Sequence, residues 1–149
     1  MRTQPTQAAL LAGGLALIVA GGTPVLAETM TDTIALTGGN EVPPNDSPGT
    51  GELTVTFDTE TMELTWTVQY SDLTSPPAAA HFHGPAEVDG TAPPVVPVEG
   101  SLESPFEGTA TLTAEQWADL DAGRWYFNIH TEQYPDGELR GQVVFDDTD

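Results

Sequence analysis

Leu53-Thr54-Val55-Thr56-Phe57-Asp58 and Leu64-Thr65-Trp66-Thr67-Val68-Gln69-Tyr70 each alternate an apolar residue with a polar one. Successive side chains of a strand point to opposite faces. The period of two therefore buries Leu53, Val55 and Phe57 on one face of the first strand, and Leu64, Trp66 and Val68 on one face of the second. The short stretch at 58–61 suffices for a tight connection, so the pair predicts a β-hairpin with one wet face.

Working outward, 34–37 reads as a short first strand ended by Gly38-Gly39-Asn40. The segment 41–51 carries Pro43, Pro44 and Pro48, too many prolines for an inner strand. After Ser75-Pro76-Pro77 comes a short strand over 79–83, then a loop rich in Gly and Pro over 84–97. Residues 106–112 are strand-like. Thr113-Ala114-Glu115-Gln116 has the form of a capping box and opens a short helix over 114–121, with Trp117 and Leu120 on its apolar side and Gly123 at its end. Trp125, Phe127 and Ile129 then alternate with Tyr126, Asn128 and His130 as another strand. Tyr134-Pro135-Asp136-Gly137 is a turn, 139–145 a last strand, and 146–149 an acidic, frayed tail. Seven or so short strands with one helical turn predict a single all-β domain, an antiparallel β-sandwich or Greek-key barrel with its core over 33–145. No internal repeat and no linker divides it.

The first 27 residues read differently. Arg2 precedes an uncharged apolar stretch over 8–20, followed by Gly21, Gly22, Pro24 and the small-residue pattern Val25-Leu26-Ala27. These are the parts of a secretory signal peptide cleaved after Ala27, leaving 28–149 as the exported domain, secreted or periplasmic. The 13 residues of the apolar stretch are short for a membrane span of ~20. The chain has no cysteine, which excludes a lipid anchor on Cys and any disulfide. Stability must then come from packing and strand pairing, with a metal as a further candidate support.

Past position 27 the chain carries 23 acidic residues against Arg124 and Arg140, a net charge of −21, and it has no lysine. Such a surface repels nucleic acid and anionic membranes, which excludes both as partners. No EF-hand-like loop is present, and the acids are spread along the chain. They read as solvated surface suited to a saline habitat. Asn45-Asp46-Ser47 is a glycosylation sequon weakened by Pro48.

All three histidines fall in two motifs. His81 and His83 stand two apart on one short strand, so both project from one face, ~7 Å apart at the backbone. His130 sits on the polar face of its own strand. If the two strands are neighbours, three imidazoles meet, a set that suits copper first and zinc second, with a fourth position open to water or substrate. If they are not, the histidines serve as hydrogen-bond donors to backbone carbonyls. Tyr126 and Asn128 share the face of His130 and either line the site or face water. Glu132 and Glu138 are candidate carboxylate ligands, and Arg140 is a candidate anion guide or partner of an acid. No serine lies in a nucleophile-elbow context, and no Ser-His-Asp arrangement can be built.

Ala80-His81-Phe82-His83-Gly84-Pro85-Ala86, Pro94-Val95-Val96, Tyr126-Phe127-Asn128-Ile129-His130-Thr131 and Tyr134-Pro135-Asp136-Gly137-Glu138-Leu139-Arg140-Gly141-Gln142 together resemble the signature of the CHRD (chordin) domain. Gly39-Asn40-Glu41-Val42-Pro43-Pro44 and the strand over 49–57 match it too, so the resemblance covers about 33–145. It implies an immunoglobulin-like β-barrel with limited similarity to copper/zinc superoxide dismutase. Within that likeness, His81-Phe82-His83 resembles the dismutase's H-x-H copper pair and His130 its late copper histidine. The zinc histidines, the bridging histidine and the disulfide have no counterpart here. A net charge of −21 would also repel superoxide from Arg140.

Three functions remain: an exported binding module with a copper-type site at His81, His83 and His130, a copper-only dismutase-like enzyme using the same residues, and a metal-free structural or adhesive module.

Overall fold

The computed structural model describes residues 26–146 and positions 14, 16, 18 and 21–23. Most of the expected signal peptide over 1–27 and of the acidic tail over 146–149 therefore lies outside the described residues. Among the described residues, eight strands and one α-helix follow in order, with a 3-10 turn over Gly38–Asn40 after the first strand: β1 (Thr29–Thr37), β2 (Thr50–Asp58), β3 (Glu63–Ser71), β4 (Pro77–His83), β5 (Pro94–Pro97), β6 (Phe106–Thr111), α1 (Ala114–Asp121), β7 (Trp125–Thr131) and β8 (Leu139–Val143).

The hairpin forms in the expected register, with Leu53 opposite Val68, Val55 opposite Trp66 and Phe57 opposite Leu64. Its turn is set by Asp58, whose Oδ1 accepts the N–H groups of Glu60 and Thr61. The strands lie in the order β5-β4-β7-β8-β1-β2-β3-β6, and every pairing is antiparallel. Only Thr37 and Arg140 register across the β1–β8 junction. The sheet folds over there into two facing halves, nearly a barrel, and Trp66 of β3 meets Phe82 of β4 edge-on at 5.1 Å across the core. Leu53, Val55, Phe57, Leu64, Phe127 and Ile129 are fully buried between the halves. Each such side chain is worth about 1.5–3 kcal/mol, which is how a domain without disulfides holds together.

Two elements differ from expectation. β1 starts at Thr29 rather than near 34 and pairs with β2 along its whole length. Asp32 falls on the inward face between Met30 and Ile34 and interrupts the apolar alternation, which hid the strand's first half. β5 lies inside the stretch expected to be loop. Its prolines are tolerated because it is an edge strand paired only to β4. The helix spans Ala114–Asp121 with the expected capping box, Thr113 Oγ1 accepting from Gln116 N and Gln116 Oε1 from Thr113 N. Its Trp117 stacks on Phe57 at 4.0 Å and fixes the helix against the core.

Candidate metal centre

β4 and β7 are neighbours, with His83 opposite Tyr126, His81 opposite Asn128 and Ala79 opposite His130. Because the pleat alternates, Phe82, Phe127 and Ile129 face the core while the three histidines, Tyr126 and Asn128 share the other face. Arg140 and Gln142 join that face from β8, opposite Asn128 and Tyr126.

The imidazoles converge. One ring nitrogen from each of His81, His83 and His130 lies within 4.8 Å of the other two. His81 Nδ1 and His130 Nε2 are 3.2 Å apart, close to the separation of about 3.3–3.4 Å for two nitrogens bound tetrahedrally to one ion at ~2.0–2.1 Å. Two of the rings have their tautomers set from behind. His83 Nδ1 donates to Ala92 O at 2.8 Å, and His130 Nδ1 donates to Pro135 O at 2.9 Å. A neutral ring that donates from Nδ1 carries its lone pair on Nε2, so both present an unprotonated Nε2. That of His83 is buried without any partner. His81 Nδ1 donates to His130 Nε2, and an ion at this point would take that proton's place. The donor set, the backing carbonyls and the unpartnered Nε2 all fit a metal ion.

Electrostatics favour the ligand form. Burial lowers the His81 pKa, and the neighbouring His130 and His83 lower it further. Burial also dominates at His83, where the bond to Ala92 opposes it without reversing it. Both shifts favour the neutral ring that metal binding requires.

Arg140 is buried rather than an exposed guide, and among the described residues it forms no salt bridge with an acid. It is 1% exposed, its guanidinium lies 3.6 Å above the Tyr126 ring, and Nη2 points at the carbonyls of Glu87, Val88 and Gly90. Among the described residues the ion pair present is Arg124–Asp119. Tyr126 in turn stacks on His83 at 4.7 Å with planes 5° apart, and its hydroxyl bonds to both N and O of Ala92. Gln142 Nε2 donates to Ala86 O and Gly123 O. These side chains strap the 84–93 loop onto the sheet and close it over His83.

Glu138 is fully buried, but its carboxylate accepts from Ser47, Thr74 and Thr131 and so ties three segments together. Burial alone would raise its pKa, and these bonds outweigh it and hold the carboxyl below its usual range. Glu132 is exposed. The sequence reading gave Glu41 no role. It is 7% exposed, Oε1 has no partner, and burial pushes its carboxyl up to about 7 against the pull of Arg140 and Asn128. It stands beside Asn128, whose own Oδ1 is unpartnered, across Gly137. At a φ of +130°, a β-carbon on Gly137 would come within 2.4 Å of Glu41 Oε1 and 2.5 Å of Asn128 Nδ2, so only glycine fits. The one signal for Glu41 was its place in the Gly39-to-Pro44 motif.

The family model of the CHRD domain matches residues 33–143. No curated protein and no solved structure matches the chain.

Proposed function

The chain belongs to the CHRD domain family, and on that footing we propose that it is an exported binding module whose His81, His83 and His130 hold a copper-type ion. One observation carries this reading: two imidazoles have their Nδ1 protons fixed on carbonyls, which turns their Nε2 lone pairs toward a third. Copper ranks above zinc for a nitrogen-only set, and when bound it supplies Lewis acidity or one-electron chemistry. The chain's own part is to favour neutral rings at His81 and His83, to fix the tautomers of His83 and His130 through Ala92 O and Pro135 O, and to pack Tyr126 against His83. A dismutase is less well supported. The guanidinium of Arg140 is committed to loop carbonyls, and a net charge of −21 disfavours an anionic substrate.

Copper titration of tag-free protein at high salt, where loose binding to surface carboxylates is screened, tests the site. Wild type should bind one equivalent, while His83→Ala and His130→Ala should bind none and remain folded. Equal binding by all three would return the module to a metal-free structural role. Superoxide consumption by the copper-loaded form separates an enzyme from a binder. Export is checked by the mass of the natural product, which should begin at Glu28.

A further inference from the structure

The two strands at the ends of the sheet order, β5 and β6, are each paired on one side only among the described residues. They border a single cavity of about 360 Å³, lined among others by Trp66, Val95, Val96, Gly108, Ala110 and Glu99. The core-facing positions of β6 explain the hollow. Phe106 is buried, but Gly108 and Ala110 that follow it are small and half-buried. A β-carbon on Gly108 would fall 2.5 Å from Trp66 Cζ2 and 2.9 Å from Trp66 Nε1, so the indole edge occupies the space beside it. Trp66 is 4% exposed and its Nε1 has no hydrogen-bond partner. A buried indole N–H is normally satisfied, and leaving it unpaired costs stability. The rim is acidic: Glu99 borders this cavity, and Glu107 stands next to Gly108 on β6.

A ligand for this seam must bring apolar groups for the hollow, main-chain partners for a free edge, and positive charge. We infer that the β5–β6 seam receives an extended, lysine- or arginine-bearing peptide segment of a partner protein, added as a strand along β6. Main-chain hydrogen bonds supply the affinity of such a mode, and alternate side chains supply its specificity. Val95, Val96 and Ala110 take the inward apolar side chains over the Trp66 indole that floors the hollow, and Glu99 and Glu107 face the cations. Pro94 and Pro97 weaken β5 as a template, which leaves β6, free of proline over Phe106–Thr111, as the pairing edge. A second copy of the chain is the poorer occupant, since like charge opposes it.

The full chain, labelled with nitrogen-15, tests this with a short blocked peptide of alternating valine and lysine. The indole cross-peak of Trp66 should shift saturably, together with the amides of Thr109 and Ala110. The valine–glutamate counterpart and a backbone N-methylated valine–lysine peptide should leave these peaks in place. Glu99→Lys with Glu107→Lys, both at exposed positions and so folded, should weaken binding about tenfold or more. No saturable shift at Trp66, equal binding by the N-methylated peptide, or a concentration-dependent shift without peptide would each overturn the assignment. The last would mark self-association instead.

Discussion

The carbonyl of Ala92 accepts from both His83 Nδ1 and the Tyr126 hydroxyl, so the position of one loop residue decides the direction of a ligand's lone pair. What holds Ala92 there is largely Arg140, through the carbonyls of the same loop and the face of Tyr126. Lysine can neither stack on the ring in the same way nor span those carbonyls. Arg140→Lys should therefore cost about 2–4 kcal/mol in denaturant unfolding, because a buried cation loses its partners. Copper affinity should fall about 10- to 100-fold, as for lost second-sphere support. Amide exchange over 86–92 should rise with it; unchanged exchange there would show that Arg140 does not hold the loop. Glu41 gives a second test, with a definite sign. Its folded pKa, about 7, lies above the ordinary 4.5. The folded state thus binds more protons between those values, and the chain loses up to about 3 kcal/mol as pH rises through that window. Glu41→Gln should flatten the slope between pH 4.5 and 7 and stabilise the protein at pH 8; a slope unchanged by the substitution would trace it to other groups. Of these residues the histidines were legible, because strand parity alone puts His81 beside His83 and His130 on a polar face. The work of Arg140 was not: its acceptors are backbone carbonyls 50–53 positions away, and backbone leaves no mark in side-chain pattern.

Elements were readable where one side chain type marks one face. β2, β3 and β7 bury an apolar residue at every second position, and the helix announces itself through its cap. β1 failed that test at Asp32, whose carboxylate accepts from Thr33 N and Asp146 N instead of entering the core. β5 failed because prolines read as loop unless the strand is known to lie at an edge. The neighbourhood of β4 and β7, on which the metal site depends, was a conditional expectation. Periodicity orders residues within a strand but not strands within a sheet. The cap offers a local check on how far elements are coupled. Thr113→Ala removes the acceptor of Gln116 N and should lower stability by about 1 kcal/mol in urea unfolding. It should leave copper binding unchanged, because the stacking of α1 on the core runs through Phe57 of β2, away from the histidine face. A parallel loss of metal affinity would mean that the helix and the histidine face unfold as one unit.

At the scale of the whole molecule the dominant quantity is charge. Compacting 23 carboxylates with only Arg124 and Arg140 to relieve them past position 27 stores self-repulsion in the folded state that the expanded chain partly escapes. Repulsion of this kind acts over the Debye length, which shrinks from ~10 Å at 0.1 M salt to ~3 Å at 1 M. The thermal midpoint should therefore climb with sodium chloride, steeply at first and then more slowly. Salt can also stabilise by strengthening the burial of apolar surface, which depends on the core and not on charge. The two causes separate in a variant with Glu60, Glu87, Glu103 and Glu115, all exposed, replaced by lysine. If screening governs, this variant should be more stable than wild type at low salt, show a clearly shallower dependence, and converge with wild type near molar salt. If apolar burial governs, the two melting curves should rise in parallel, since the cores are identical. Parallel curves would overturn the reading of the acidic surface as an adaptation to salt, and would leave the 23 carboxylates in need of another explanation.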